Sequence, residues 1–188
     1  MSDKRYKYTI VLGITGSIAA YRACDLILDL KENGVRVLPV LSRDAHHFVT
    51  PLTVQSLAGE EVRTDLMRVD GNLKPVHIEL AKAADLIVVC PASADILARM
   101  RMGLTDDLLS CTLLAALSPV IAVPAMNDRM LAHPATQENI SVLKSRGVRF
   151  IEPIEGKLVC SDHAMGHIQS NEIILKEILK ALSERPAR

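Results

Sequence analysis

The chain reads as an α/β protein, one Rossmann-like doubly wound parallel sheet spanning residues 1–188 as a single domain, and three observations predict this. β-branched apolar runs alternate with amphipathic helical stretches, the pattern that builds a parallel sheet with helices on both faces. The runs are apolar throughout, as in strands covered on both sides. Each strong run leaves through a short loop of small, hydroxylated or amide-bearing residues.

Tyr8–Ile14 is the first such run, and Thr15-Gly16-Ser17 ends it. Ala19–Asn33 then carries helical spacing through Tyr21, Ala23, Leu26, Ile27 and Leu30, with Gly34 as its left-handed stop. Val35–Leu41 is a second strand, after which Ser42-Arg43-Asp44 can cap a helical turn. Thr50-Pro51 opens a helix through Leu57 that Ala58-Gly59 closes. Glu60–Pro75 is the least regular part, with a turn at Asp70-Gly71-Asn72, and suits a mobile or partner-facing loop. A helical stretch from His77 through Ala84 precedes the third strand, Leu86–Cys90.

Ala94–Arg101 is helical and stops at Gly103. Thr105-Asp106-Asp107 caps the next helix, Leu108–Leu117, which is apolar nearly all round and therefore expected to be buried. Pro119–Pro124 is a fourth strand, Pro134–Arg146 a helix ending in Gly147, Val148–Ile151 a fifth strand and Ser170–Ser183 a closing amphipathic helix. Residues 1–7 and 184–188 read as frayed ends.

Composition narrows the function. The 188 residues are 49% apolar, enough for a proper core. Lys plus Arg and Asp plus Glu balance at 22 each, and aromatics are only 3%, so no nucleic-acid partner is expected. No apolar run approaches the roughly 18 residues of a membrane span, and the polar start lacks a signal-peptide pattern. Cys24, Cys90, Cys111 and Cys160 show no CxxC spacing, which points to a reducing, cytoplasmic home.

In doubly wound sheets ligands sit beyond the carboxyl ends of the strands. Four exits therefore read as one rim: Thr15-Gly16-Ser17, Ser42-Arg43-Asp44, Pro91-Ala92-Ser93-Ala94-Asp95 and Pro124-Ala125-Met126-Asn127. Gly13-x-x-Gly16-Ser17, between strand and helix, suits a mononucleotide phosphate or is simply a tight turn. It matches neither GxGxxG nor a P-loop. His77 is a surface or satisfied histidine, or the proton-transfer group of this rim. Asn127 can hold a carboxylate or cap the next turn. Cys160 is a structural thiol by default, and with His163 and His167 it matches no zinc module, so no metal is expected. Met126, Met130 and Met165 line a pocket for a flat ring or fill the core.

The motifs GITGSIAAY at 13–21, VHIEL at 76–80, PASA at 91–94, GLTDDLL at 103–109, PAMNDRM at 124–130 and GKLVC at 156–160 occur in order. Together they resemble the FMN-dependent cysteine decarboxylases, across nearly the whole chain. The pairing of the His motif with PAMN is the specific part. The resemblance implies an FMN enzyme, a homotrimer or a dodecamer of trimers, with FMN near a subunit interface. It implies that Gly16, Ser17 and Ile18 hold the FMN phosphate with help from Ser42. Phe48 would lie beside the flavin, and Ser93, Ala94, Asp95, Ile96 and Ala125 would meet its ribityl chain and ring. His77 would be the base, Asn127 with Met126 would bind the substrate carboxylate, and Cys160 would donate a proton.

The implied reaction is oxidative decarboxylation of a cysteine carboxylate, first of all phosphopantothenoylcysteine in coenzyme A biosynthesis. A peptidyl-cysteine substrate, another flavoprotein redox reaction, or a non-catalytic flavin-binding subunit are the alternatives. Cys160 favours the redox-neutral cycle. Four positions depart from the family pattern: Asp95 where Asn is usual, Lys82 for Arg, Ser161 for Gly, and Gly166-His167 for Gly-Arg.

Overall fold

The computed structural model describes residues 6–66, 75–158 and 161–184. The Asp70-Gly71-Asn72 turn and Cys160 lie outside the described residues. β1 (Tyr8–Ile14), β2 (Val35–Leu41), β3 (Leu86–Ala92), β4 (Val120–Pro124) and β5 (Arg149–Phe150) form one parallel sheet in the order β2-β1-β3-β4-β5. The chain leaves β1 for β2, then crosses back over β1 to start β3. Winding reverses at that point, which opens a crevice beyond the strand ends.

Both sheet faces are covered, which is why the central strands are apolar over Ile10–Ile14 and Leu86–Ala92. Ile10, Leu12, Ile14, Leu86 and Val88 pack against α1 (Arg22–Glu32) and α8 (Asn171–Ser183). Val11, Ile87 and Val89 point the other way, into a second cluster. That cluster is closed by α3 (Val76–Ala83), α4 (Ala94–Met102), α5 (Leu108–Ala115) and α7 (Pro134–Ser145). Each fully buried Leu or Ile contributes about 1.5–3 kcal/mol.

Local chemistry sets the helix ends. Thr50 Oγ1 accepts from the Thr53 amide at 3.1 Å to open α2 (Pro51–Ala58), and Gly59 closes it at φ 69°. Asp107 and Ser110 form a reciprocal capping box on α5.

Several expectations need correcting. α5 is not buried all round: Leu114 is exposed and Leu117 fully so. The helix ends at Ala115, and Ala116 turns extended, so Leu117 leaves the helical path and points off the fold. β3 runs two residues past Cys90, through a cis Cys90–Pro91 bond, to Ala92. The stretch before α8, to which the sequence reading assigns no element, is an antiparallel hairpin, β6 (Ile154–Leu158) and β7 (Ser161–His167). A short α6 (Asp128–Ala132) precedes α7. Ser42 makes no side-chain cap bond to the 3₁₀ turn that follows it. At the ends, the Lys7 amide donates to the Gly34 carbonyl at 3.0 Å, and Glu184 pairs with Arg149 at 2.8 Å. These contacts join Lys7 and Glu184 to opposite edges of the sheet. No described helix is long and apolar enough to cross a membrane.

Candidate functional site

Thr15, the first residue past β1, is 1% exposed and laces two strand exits together. Its hydroxyl donates to the Pro91 carbonyl at 2.7 Å and accepts from the Ser93 amide at 3.0 Å. The β4 exit joins through the Ala125 amide, which donates to the Ala92 carbonyl at 3.2 Å. Ser17 Oγ donates to the Ala125 carbonyl and accepts from the Ala19 amide, both at 3.3 Å. Three exits are thereby held as one surface beyond the winding reversal. Replacing Thr15 by Val leaves the Pro91 carbonyl and the Ser93 amide unpaired while keeping side-chain shape. The expected cost is about 2 kcal/mol of stability, read from urea unfolding.

The fourth exit supports this surface from behind. A Cβ on Gly16 would lie 2.6 Å from Asp44 Cβ, so only glycine lets the two loops close up. Among the described residues, the amides of Gly16, Ser17 and Ile18 donate to nothing. Such unpaired amides before a helix are anion donors.

Gly16, Ser17 and Ile18 line a cavity of about 330 Å³. Ser93 and Ala94 line it from the β3 exit, and Ala125, Met126 and Asn127 from the β4 exit. Tyr21 and Met130 border it as well, whereas Met165 does not. The hairpin supplies the far wall through Lys157, Gly166 and His167. It is docked by the Met126 amide, which donates to the Gly166 carbonyl at 3.2 Å.

Not every expected residue reaches the cavity. Ser42 and Phe48 lie outside its lining, although their loop packs on Gly16. Ile96 is buried in the core beneath it. The Asp95 carboxylate turns to Arg99 at 2.7 Å. Arg99 also binds Asp106; these two bonds raise the guanidinium further, and the bond to Arg99 holds the Asp106 carboxyl below its usual range. The lining described here thus contains no carboxylate.

His77, second residue of α3, does not line the cavity, and its buried Nδ1 finds no partner among the described residues. Asn127 Oδ1 accepts from the Arg129 amide at 3.0 Å, capping α6. That leaves its Nδ2 hydrogens free to donate towards the cavity. Burial pushes the Cys90 thiol up to about 12, only partly opposed by Arg22, so it stays protonated and inert. No described group of three or more His, Cys, Asp or Glu could hold a metal ion.

Sequence reasoning placed Thr15 on the rim without giving it a role, and named Lys157, Gly166 and His167 within motifs without placing them on the cavity wall. Thr15 had a visible signal, a polar β-branched residue directly after a buried strand. The hairpin residues had only Gly156 and Gly166 to mark them.

Residues 1–183 match the model of the family described as Flavoprotein. The coenzyme A biosynthesis bifunctional protein CoaBC of Haemophilus influenzae is 43% identical over 175 residues, covering 93% of this chain and 43% of its own length. Its Bacillus subtilis counterpart is 42% identical over 175 residues, with the same coverage of 93% and 43%. The chain therefore spans less than half the length of these curated relatives. Among solved structures, a PPC decarboxylase mutant complexed with pantothenoylaminoethenethiol superposes with a TM-score of 0.83 at 26% identity, over 95% of this chain and all of that one. The FMN-dependent cysteine decarboxylase SpaF gives a TM-score of 0.81 at 29% identity, over 93% of this chain and 97% of its own.

Proposed function

The chain belongs to the flavoprotein family, and on that premise we propose that it is an FMN-dependent carboxy-lyase acting on a cysteine carboxylate. The substrate is phosphopantothenoylcysteine, converted to phosphopantetheine in coenzyme A biosynthesis. One observation carries this reading: Gly16, Ser17 and Ile18, whose amides are free among the described residues, line a mostly apolar cavity at the winding reversal, with no carboxylate among its described lining residues. A phosphate fits those amides, and a flat ring fits the small and apolar walls. The choice of substrate is supported by relatives above 40% identity that are coenzyme A biosynthesis proteins.

In this reading Gly16, Ser17 and Ile18 hold the FMN phosphate, and Ser93, Ala94 and Ala125 meet the rest of the cofactor. Ser42, Phe48, Asp95 and Ile96 act from outside the lining, as supports of the loops that form it. Bound FMN supplies a two-electron oxidation of the thiol-bearing carbon, giving the departing carboxylate's electrons a thiocarbonyl to enter. His77 takes the proton released in that oxidation. The Nδ2 hydrogens of Asn127 orient the carboxylate, with Met126 against the substrate's apolar part. Cys160 would return a proton to carbon while the two electrons stored on the reduced cofactor go back to the enethiol, so that the cycle would end redox-neutral.

The reading includes assembly as a homotrimer, or as a dodecamer of trimers. The exposed Ile18, Tyr21 and Met130 give the cavity an apolar rim that a neighbouring copy would cover. The reading also places the protein in the cytoplasm, in keeping with free thiols at Cys24, Cys90 and Cys111.

The test is a visible spectrum of the purified protein, followed by mass identification of the released chromophore and of the product. A yellow protein releasing FMN and removing only CO₂ from phosphopantothenoylcysteine is the expected result. A product lacking two further hydrogens marks an enethiol-releasing, peptide-type enzyme. A yellow protein inert to both substrates marks a regulatory subunit. A colourless protein that refuses added FMN rules the reading out.

A further inference from the structure

A second cavity, of about 670 Å³, opens where β4 and β5 begin, at the other end of the strands from the cavity beside Gly16. Its size falls within the ~300–1,000 Å³ range of small-molecule sites. α4, α5 and α7 wall it, and Met100, Val120, Leu143 and Val148 give it an apolar interior that belongs to the second core cluster. Leu104, Leu114 and Leu117 line it too, and all three are exposed.

The polar part of this lining has one sign. Arg99, Arg146 and Arg149 belong to it, and no carboxylate does among the described residues. Asp95 and Asp106 hold Arg99, and Glu184 holds Arg149, all from outside the lining. Arg146 has no carboxylate partner among the described residues. Its Nη1 donates to the Arg101 carbonyl at 2.6 Å, near the carbonyl end of α4. That bond fixes the guanidinium through one donor and leaves the rest of the fork for a ligand. Ser118 adds a second open group: its Oγ is buried, lacks a partner among the described residues and belongs to a residue of the same lining. A buried hydroxyl left unpaired is costly, and a ligand oxygen would remove the cost.

We infer that this cavity is a binding site for an amphipathic anion, an aliphatic chain whose carboxylate or phosphate head is held by Arg146 and Ser118. The apolar interior takes the chain. Charge complementarity selects the head, since a cationic head would meet three guanidinium groups and a neutral one would leave Arg146 without a counter-charge. No residue lines both cavities, so this site stands whether or not the first one takes a flavin.

The experiment is a calorimetric titration of the purified protein, with FMN in excess, against decanoate, decyl phosphate, decanol and decyltrimethylammonium, each below its micelle-forming range. Saturable binding of at least one of the two anions is expected, with the neutral and cationic chains at least about tenfold weaker, the worth of one charge-assisted hydrogen bond. The tighter of decanoate and decyl phosphate identifies the head. Arg146→Met should bring the anion down to the affinity of decanol and leave decanol itself unchanged. Leu114→Glu, at an exposed position that the fold tolerates, puts a carboxylate into the lining and should turn the preference towards the cation.

No saturable binding of either anion overturns the proposal. Equal affinity for all four chains overturns it as well, by marking an apolar surface made for a protein partner. Anion binding that FMN displaces assigns the chain to the first cavity instead. Unchanged anion affinity in Leu114→Glu places the ligand elsewhere, and this arm decides the matter even where Arg146→Met fails to fold.

Discussion

His77→Asn is expected to leave the protein yellow and to lower turnover by at least about 10²-fold, the usual worth of a positioned proton-transfer group. The structure gives this residue an unusual standing. Its Nδ1 is buried at the start of α3 and has no partner among the described residues. A buried polar atom left unpaired costs about 1–3 kcal/mol, so a fold optimised for stability alone would not keep it. Asn offers a polar group of similar reach and leaves Val76 and Leu80, the core anchors of the helix, untouched. Retained colour with lost turnover assigns His77 to proton transfer. Undiminished turnover removes it from the mechanism, and lost colour makes it a cofactor-holding residue. His77→Leu gives a control that does not depend on activity. It removes the orphan atom and should raise stability by about 1 kcal/mol while abolishing turnover, the trade expected of a functional polar group.

The sheet was legible because its information is local. Ile10–Ile14 and Leu86–Cys90 are apolar at every position, and such a run belongs to a strand covered on both faces. The helix stops were equally readable, since Gly34, Gly59, Gly103 and Gly147 all adopt positive φ where the spacing ends. The rim was read as four exits, whereas three line the cavity and the fourth packs behind Gly16. That distinction depends on strand order, which residues within one loop do not encode. The Thr15–Pro91 bond likewise joins residues 76 apart, and it exists only because β3 lies beside β1. The hairpin escaped notice because β6 and β7 lack a regular alternation of apolar and polar side chains. Their pairing also shifts register at two places, which blurs the two-residue period. Leu117 misled for a different reason: composition says that a helix is apolar, but only its end point says which residues leave it.

Gly166→Ala is expected to disable the cavity with a single added methyl group. A Cβ at this position would sit 2.2 Å from the Met126 carbonyl oxygen, and the backbone is already at φ 131°, a region that side chains rarely enter. The obstructing atom is main chain, so no rotamer change relieves the clash. The hairpin must move away from the β4 exit, breaking the bond from the Met126 amide to the Gly166 carbonyl. Strain and the lost bond together cost about 1–3 kcal/mol, a modest fraction of global stability because the hairpin lies outside the five-stranded sheet. The effect on function should be far larger, since the same wall carries Lys157 and His167. Loss of about 10²-fold in decarboxylation, with FMN still bound through the amides of Gly16 to Ile18, is the expected outcome. Chemical denaturation, FMN fluorescence titration and product mass, measured on one preparation, separate these effects. If the substituted protein turns over like the wild type, the hairpin is not a working wall of the site. If it loses FMN as well, the hairpin holds the cofactor rather than the substrate.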